Sequence, residues 1–178
     1  MSPPDPTAPL PPRTVVTRDG MSRRLRPLGP GDEAAVVTFF HALSPETIQA
    51  RYGYLIRDMT PDRAHRLVDL DPAREVALGI FEAGPKGEEL CAMGRLVVAP
   101  DGHSAECAFL VRDDRRRLGL ASRLLRFLRV LARRRRLDRL FAQVRRENRA
   151  MLGVFRRVGA RLHFSAYGDV VAVDIPLR

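Results

Sequence analysis

Between Val111 and Ser122 the chain reads Val-Arg-Asp-Asp-Arg-Arg-Arg-Leu-Gly-Leu-Ala-Ser. A strand-like run, Glu106–Val111, leads into it, and a long amphipathic helix follows with Leu118, Ala121, Leu124, Leu125, Leu128 and Leu131 as its apolar stripe. Gly119 and Ala121 leave little side chain over the first helical turn, so a ligand can approach the backbone closely. Unpaired N–H groups at a helix start, together with the positive end of the helix dipole, favour an anion. Arg115, Arg116 and Arg117 add mobile positive charge around that point. A phosphate-bearing ligand is the expected occupant, held along Arg116, Arg117, Leu118, Gly119, Leu120, Ala121 and Ser122.

The spacing excludes the familiar nucleotide loops. A Walker loop needs a lysine after its second glycine, and the only lysine in the chain, Lys86, is far from this segment. A dinucleotide fingerprint needs three glycines where this segment has one. The four histidines, His41, His65, His103 and His163, are scattered and none pairs at ligand spacing, so no metal is expected. Cys91 and Cys107 fall in strand-like runs and read as buried core residues.

The elements that must position the loop are legible from period and punctuation. A strand over Ser22–Leu28 is followed by Gly29-Pro30-Gly31 and by Asp32 as a helix N-cap, with Ala35, Val36, Phe39 and Phe40 apolar. Ser44-Pro45-Glu46 and Thr60-Pro61-Asp62 start two more helices by cap-then-proline logic. Strands are expected over Glu75–Phe81, Leu90–Val98 and Ser104–Val111, then Leu140–Val144, Arg161–Ala166 and Val170–Ile175, with a helix over Asn148–Val158. Residues 1–22, rich in proline (Pro3, Pro4, Pro6, Pro9, Pro11, Pro12), read as a disordered lead-in, with Met21 an alternative start, and residues 23–178 as one domain. The fold class is α/β (α+β): a mixed, mostly antiparallel sheet of about seven strands with helices on both faces. The strands at 104–111 and 140–144, joined by a helical crossover, should run parallel.

A formal net charge of +10, nearly all of it arginine, asks for an acidic partner. Nucleic acid is disfavoured because no aromatic residues interleave the densest block, Arg133–Arg136, and cations at a helix C-terminus have a local explanation. No run of 18 apolar residues exists to span a membrane, and no charged-then-apolar leader is present, so a cytoplasmic protein is expected.

Arg116, Gly119 and Ala121 fill the three defining positions of the Gln/Arg-x-x-Gly-x-Gly/Ala motif, and the segment resembles the pyrophosphate loop of the GNAT superfamily of N-acetyltransferases. Glu147-Asn148 through Phe155 to Gly159 is similar to its second signature, in which a helix ends at a glycine. Phe39–Tyr52, then Asp71–Leu78, Gly94-Arg95 and Ala105–Phe109, resemble the bacterial protein lysine acetyltransferases in the same order; the likeness covers roughly residues 24–176. It implies transfer of an acetyl group from acetyl-CoA to a primary amine, a protein lysine before a small amine. A non-catalytic CoA-binding or arginine-rich interaction module is the alternative. It further implies Glu106 as general base, needed because a lysine amine has a pKa near 10.4. Alternation puts Glu106, Ala108 and Leu110 on one strand face. The oxyanion donor would be the backbone N–H of Leu110 or Val111, and Asn148 would cap its helix and bond the cofactor arm. Phe155 stands where many members carry tyrosine and has no proton to give, so the departing thiolate is left to protonation by solvent or to stabilisation by the helix beginning near Asn148, with Tyr52, Tyr54 and Tyr167 as substitutes. Monomer and dimer stay open.

Overall fold

The computed structural model describes residue 5, residues 7–53 and residues 55–177. Pro3, Pro4, Pro6 and Tyr54, named above, lie outside the described residues. In chain order the elements are β1 (Arg13–Val16), β2 (Ser22–Pro27), α1 (Glu33–His41), α2 (Pro45–Tyr52), α3 (Pro61–Val68), β3 (Glu75–Gly84), β4 (Gly87–Val98), β5 (Ser104–Val111), α4 (Leu120–Arg134), β6 (Arg139–Arg145), α5 (Arg149–Arg156), β7 (Arg161–Phe164) and β8 (Val170–Pro176).

The strands form one sheet in the order β1-β2-β3-β4-β5-β6-β8-β7. Every neighbouring pair is antiparallel except β5 and β6, which the α4 crossover makes parallel. Tight turns join β3 to β4 at Pro85-Lys86 and β7 to β8 around Gly168. Ser44 and Thr60 cap α2 and α3, accepting from Thr47 N at 3.2 Å and Arg63 N at 3.3 Å. Asp32 precedes α1 but makes no side-chain cap bond. Its carboxylate instead accepts from the Gly29 N–H at 2.9 Å and from the Arg26 guanidinium at 2.8 and 3.0 Å. A facing cation outcompetes the helix N–H groups there.

The count of about seven strands rises to eight among the described residues, and the added strand, Arg13–Val16, falls inside the segment 1–22 that reads from the sequence as a disordered lead-in. Thr14-Val15-Val16 is a short β-branched run whose outline the flanking prolines hide, and it pairs along β2 from Arg13↔Leu25 to Val16↔Ser22. Leu10 and Val15, 4% and 6% exposed, join the core, so the burial of apolar surface orders this segment. A chain beginning at Met21 should therefore lose about 3 kcal/mol or more of stability. Thermal unfolding followed by circular dichroism checks this, and an unchanged midpoint would count against β1 as part of the domain.

Two apolar layers hold the sheet. On one face α4 and α5 pack through Leu124, Leu125, Leu128 and Phe155 onto Ala105, Cys107 and Phe109 of β5. On the other, α1–α3 pack through Val36, Phe39, Phe40, Ile48 and Val68 onto Ala77, Met93 and Leu110. The alternation of β5 thus holds: Cys107 and Phe109 face α4, while exposed Glu106 shares its face with Ala108 and Leu110. None of the helices among the described residues is long and apolar enough to cross a membrane.

Candidate active site

The β5–α4 connection is built to leave donors free. A short 3-10 turn, Asp113–Arg115, is followed by Arg117 at φ 64° and Gly119 at φ 83°, two left-handed residues with Leu118 between them. Such alternation turns successive N–H groups into one concavity. The first bond of the α4 ladder is Arg123 N to Gly119 O at 3.0 Å. Among the described residues, the backbone N–H groups of Arg116 through Ser122 have no acceptor. The side chains of Leu120 and Ala121 are buried in the core, so these two residues can offer a ligand only their backbone.

The arginines differ from the expectation of uniformly mobile charge. Arg115 is tied to Glu82 at 2.6 Å and to Asp114 at 2.9 Å. Arg116 pairs with Asp113 at 2.6 Å and donates to Thr47 Oγ1 at 2.5 Å. Only Arg117 of the three has no ion pair among the described residues. The carboxylates of the turn had already claimed the other two.

Asp113 is a residue that local sequence reasoning missed. Its carboxylate accepts from Ser44 N at 2.9 Å, Ser44 Oγ at 3.0 Å and Thr47 Oγ1 at 2.7 Å, pinning the start of α2 to the anion loop. Partial burial opposes its ionisation, but the bonds from Ser44 and Thr47 outweigh it and hold the carboxyl below the usual aspartate range. A depressed folded-state pKa means stabilisation that is present above the unfolded value of about 3.9 and lost as pH falls below it. Asp113→Ala should cost about 1–2 kcal/mol at neutral pH, and that cost should fade below pH 4. Urea titrations of both chains at pH 7 and pH 3 test it; a pH-independent difference would reject the carboxylate as the cause.

Beyond this loop the sheet opens. Parallel pairing of β5 with β6 is confined to Ser104↔Arg139, Ala105↔Leu140 and Glu106↔Phe141, after which the strands have no common register. Arg112 N donates to Cys91 O at 2.9 Å, and Leu110 lies opposite Met93. Alternation along an antiparallel ladder then turns the Leu110 N–H towards β4 and the Val111 N–H away from it, into the gap. Of the two expected donors, only Val111 faces the opening.

Glu106 lies at the last paired position, exposed, between Val97 of β4 and Phe141 of β6. α2 lies over β5 and β6. A cleft of about 40 Å³ on the Glu106 face is lined by Arg51, Tyr52, Met93, Arg95, Ala108 and Leu110. On the β6–β8–β7 half a wider depression of about 450 Å³ is lined by Arg139, Phe141, Gln143, His163, Ala172 and Asp174. Phe141, which lines the depression, is the register partner of Glu106.

Asn148 caps α5, accepting from Met151 N at 3.1 Å, and Gly159 takes the left-handed position at φ 76°. Phe155 is 1% exposed and packs on Phe109 with ring centroids 6.0 Å apart. Tyr167 is fully exposed, and Tyr52 lies under the Arg51 guanidinium. Burial pushes the Cys91 thiol up to about 11 and the Cys107 thiol up to about 12, which keeps both unreactive at neutral pH. The Arg133–Arg136 block is partly absorbed by the fold: Arg133 donates to Leu177 O at 3.0 Å and Arg135 to Pro72 O at 2.7 Å.

The family model described as acetyltransferase (GNAT) family matches residues 40–160. A Pseudomonas aeruginosa acetyltransferase is 30% identical over 135 residues, 75% of this chain and 72% of that one. The GNAT domain of S. lividans PAT has a TM-score of 0.84 at 29% identity, covering 93% of this chain and 96% of that domain. A cAMP-binding acyltransferase from Mycobacterium smegmatis has a TM-score of 0.64 at 27% identity, covering 94% of this chain but 48% of that one. The fold, at 17% identity and a TM-score of 0.66, also recurs in yncA from Salmonella typhimurium, solved with its cofactor acetyl-CoA, over 88% of this chain and 94% of that one.

Proposed function

The chain belongs to the GNAT family of acetyltransferases, N-acetyltransferases that draw on acetyl-CoA, and we propose that it acetylates a protein lysine with Glu106 as general base. The coenzyme, when bound, supplies an acetyl group activated as a thioester. The residues present fit it: the seven backbone N–H groups of Arg116 through Ser122, without acceptors among the described residues, suit its phosphates. The unpaired edge of β5 beyond Glu106 suits its amide-bearing arm, with Val111 N–H and the Asn148 side chain as partners. Glu106 opens to the opposite side from α4, so an amine can reach it without crossing the coenzyme face. Its carboxylate takes the amine proton, directly or through a water. Phe155, packed on Phe109, has no proton to exchange.

The observation that most favours a protein acceptor is the uncovered half of the sheet beside Glu106. The depression of about 450 Å³ is open and shallow, a shape that suits a polypeptide better than the enclosed pocket usual for a small molecule. The net charge of +10 suits an acidic partner surface and speeds its encounter. The likeness of Phe39–Tyr52 to lysine acetyltransferases points the same way. Two buried, unpaired cysteines suit a cytoplasmic setting. Labelled acetyl-CoA incubated with cell lysate, and separately with a panel of small amines, is the test. Label on protein bands that disappear with Glu106→Gln is expected; label confined to small amines would reverse the choice of acceptor.

A further inference from the structure

We propose that the N-terminal hairpin is part of the coenzyme site, and that Arg18 at its tip binds a phosphate of the acyl-CoA; this rests on the coenzyme reading above. The hairpin is tied to the anion loop at two points. Arg18 N donates to Leu118 O at 3.2 Å, and the Arg123 guanidinium donates to Val16 O at 2.9 Å. A Cβ built on Gly119 would lie 3.6 Å from Arg18 Nε, 3.8 Å from Cγ and 4.0 Å from Cδ. The Arg18 side chain therefore lies along the same left-handed glycine that begins α4, within reach of the free N–H groups of that turn.

Its charge is uncommitted. Arg18 is exposed, and no ion pair or side-chain hydrogen bond engages it among the described residues. The neighbouring carboxylates are occupied: Asp19 with Arg23 at 2.9 Å, Glu82 with Arg23 at 2.9 Å and Arg115 at 2.6 Å, Asp113 with Arg116 at 2.6 Å. That leaves Arg18 and Arg117 as free guanidiniums beside a run of free N–H groups. A fork of donors without a counter-ion at such a place matches the oxygens of a phosphate.

The tip is also held rigidly. Thr17 N donates to Met21 O at 3.0 Å, Gly20 N to Thr17 O at 2.9 Å, and Thr17 Oγ1 to Asp19 Oδ1 at 2.5 Å. Asp19 and Thr17 both bond the buried guanidinium of Arg23, which bonds Glu82, which in turn bonds Arg115 of the anion loop. Turn and loop thus share one network, and a guanidinium positioned before the ligand arrives loses less freedom on binding.

Calorimetric titration with CoA, paired with steady-state kinetics, tests this. Arg18→Ala should weaken CoA about tenfold, Arg18→Glu more, and Arg18→Lys should recover part of the loss. Ligand-free melting of Arg18→Lys and Arg18→Ala should match the wild type. With acetyl-CoA as donor, Arg18→Ala should lower kcat/KM about tenfold. With S-acetylpantetheine, which carries no phosphate, it should leave kcat/KM unchanged. Equal losses on both donors, or wild-type CoA affinity in Arg18→Ala, would overturn the assignment. If the wild-type chain itself binds no CoA, the coenzyme reading has failed and the proposal falls with it.

Discussion

Glu106→Gln is expected to bind CoA as the wild type does and to turn over about 10²–10³-fold more slowly at pH 7, in line with the contribution of a positioned base. The substitution keeps the shape of the side chain and removes its capacity to accept a proton. Glu106 is exposed at the end of the β5–β6 ladder, so nothing in the core depends on its charge. The loss should shrink as pH rises towards about 10.4, the ordinary value for a lysine amine, because more of the acceptor then arrives already neutral. Rates from pH 6.5 to 10 with one acceptor measure both features. Normal turnover at pH 7, or a loss that does not change with pH, would remove Glu106 from proton transfer.

Gly119→Glu should lower CoA affinity at least 100-fold. Three effects act together at this position. A side chain at φ 83° occupies a region where an L-residue costs about 1–2 kcal/mol. The new Cβ enters van der Waals range of Arg18, and the carboxylate can pair with that guanidinium where a phosphate would otherwise go. Like charge then repels the coenzyme directly. Gly119→Ala carries only the strain and the lost space, and should fall between the two. Calorimetry on both variants separates the terms. If Gly119→Glu bound CoA normally, the phosphates would have to lie elsewhere.

Much of the fold was legible because its signals are local. Ser44-Pro45 and Thr60-Pro61 each combine a cap with a fixed φ, and both helices start where those pairs stand. The β5 strand shows its alternation in eight residues, which was enough to put Glu106 and Cys107 on opposite faces. What was not legible depends on distant partners. β1 is four residues long beside prolines, and only its ladder with β2 and the burial of Val15 reveal it. The engagement of Arg115 and Arg116 follows from Glu82 and from the Asp113–Thr47 contact, 33 to 69 positions away in the chain. The choice of Val111 over Leu110 as the donor facing the gap needed the phase of the β4–β5 ladder, which no periodicity carries.

The Pro85-Lys86 tip between β3 and β4 carries a consequence of another kind. Lys86 is the only lysine in the chain, with all other basic side chains arginine or histidine. Glu106 pairs with Val97, ten residues along β4 from the Gly87 end of that tip, roughly 30 Å at the rise of an extended strand. Under the proposed lysine acceptor and Glu106 base, the enzyme would be nearly free of its own target, and the single lysine it carries would lie out of reach of that base. Such a catalyst would resist self-modification at high acetyl-donor levels: a mass spectrum of the enzyme after prolonged turnover should show Lys86 unacetylated, and stoichiometric acetylation there would count against this reading.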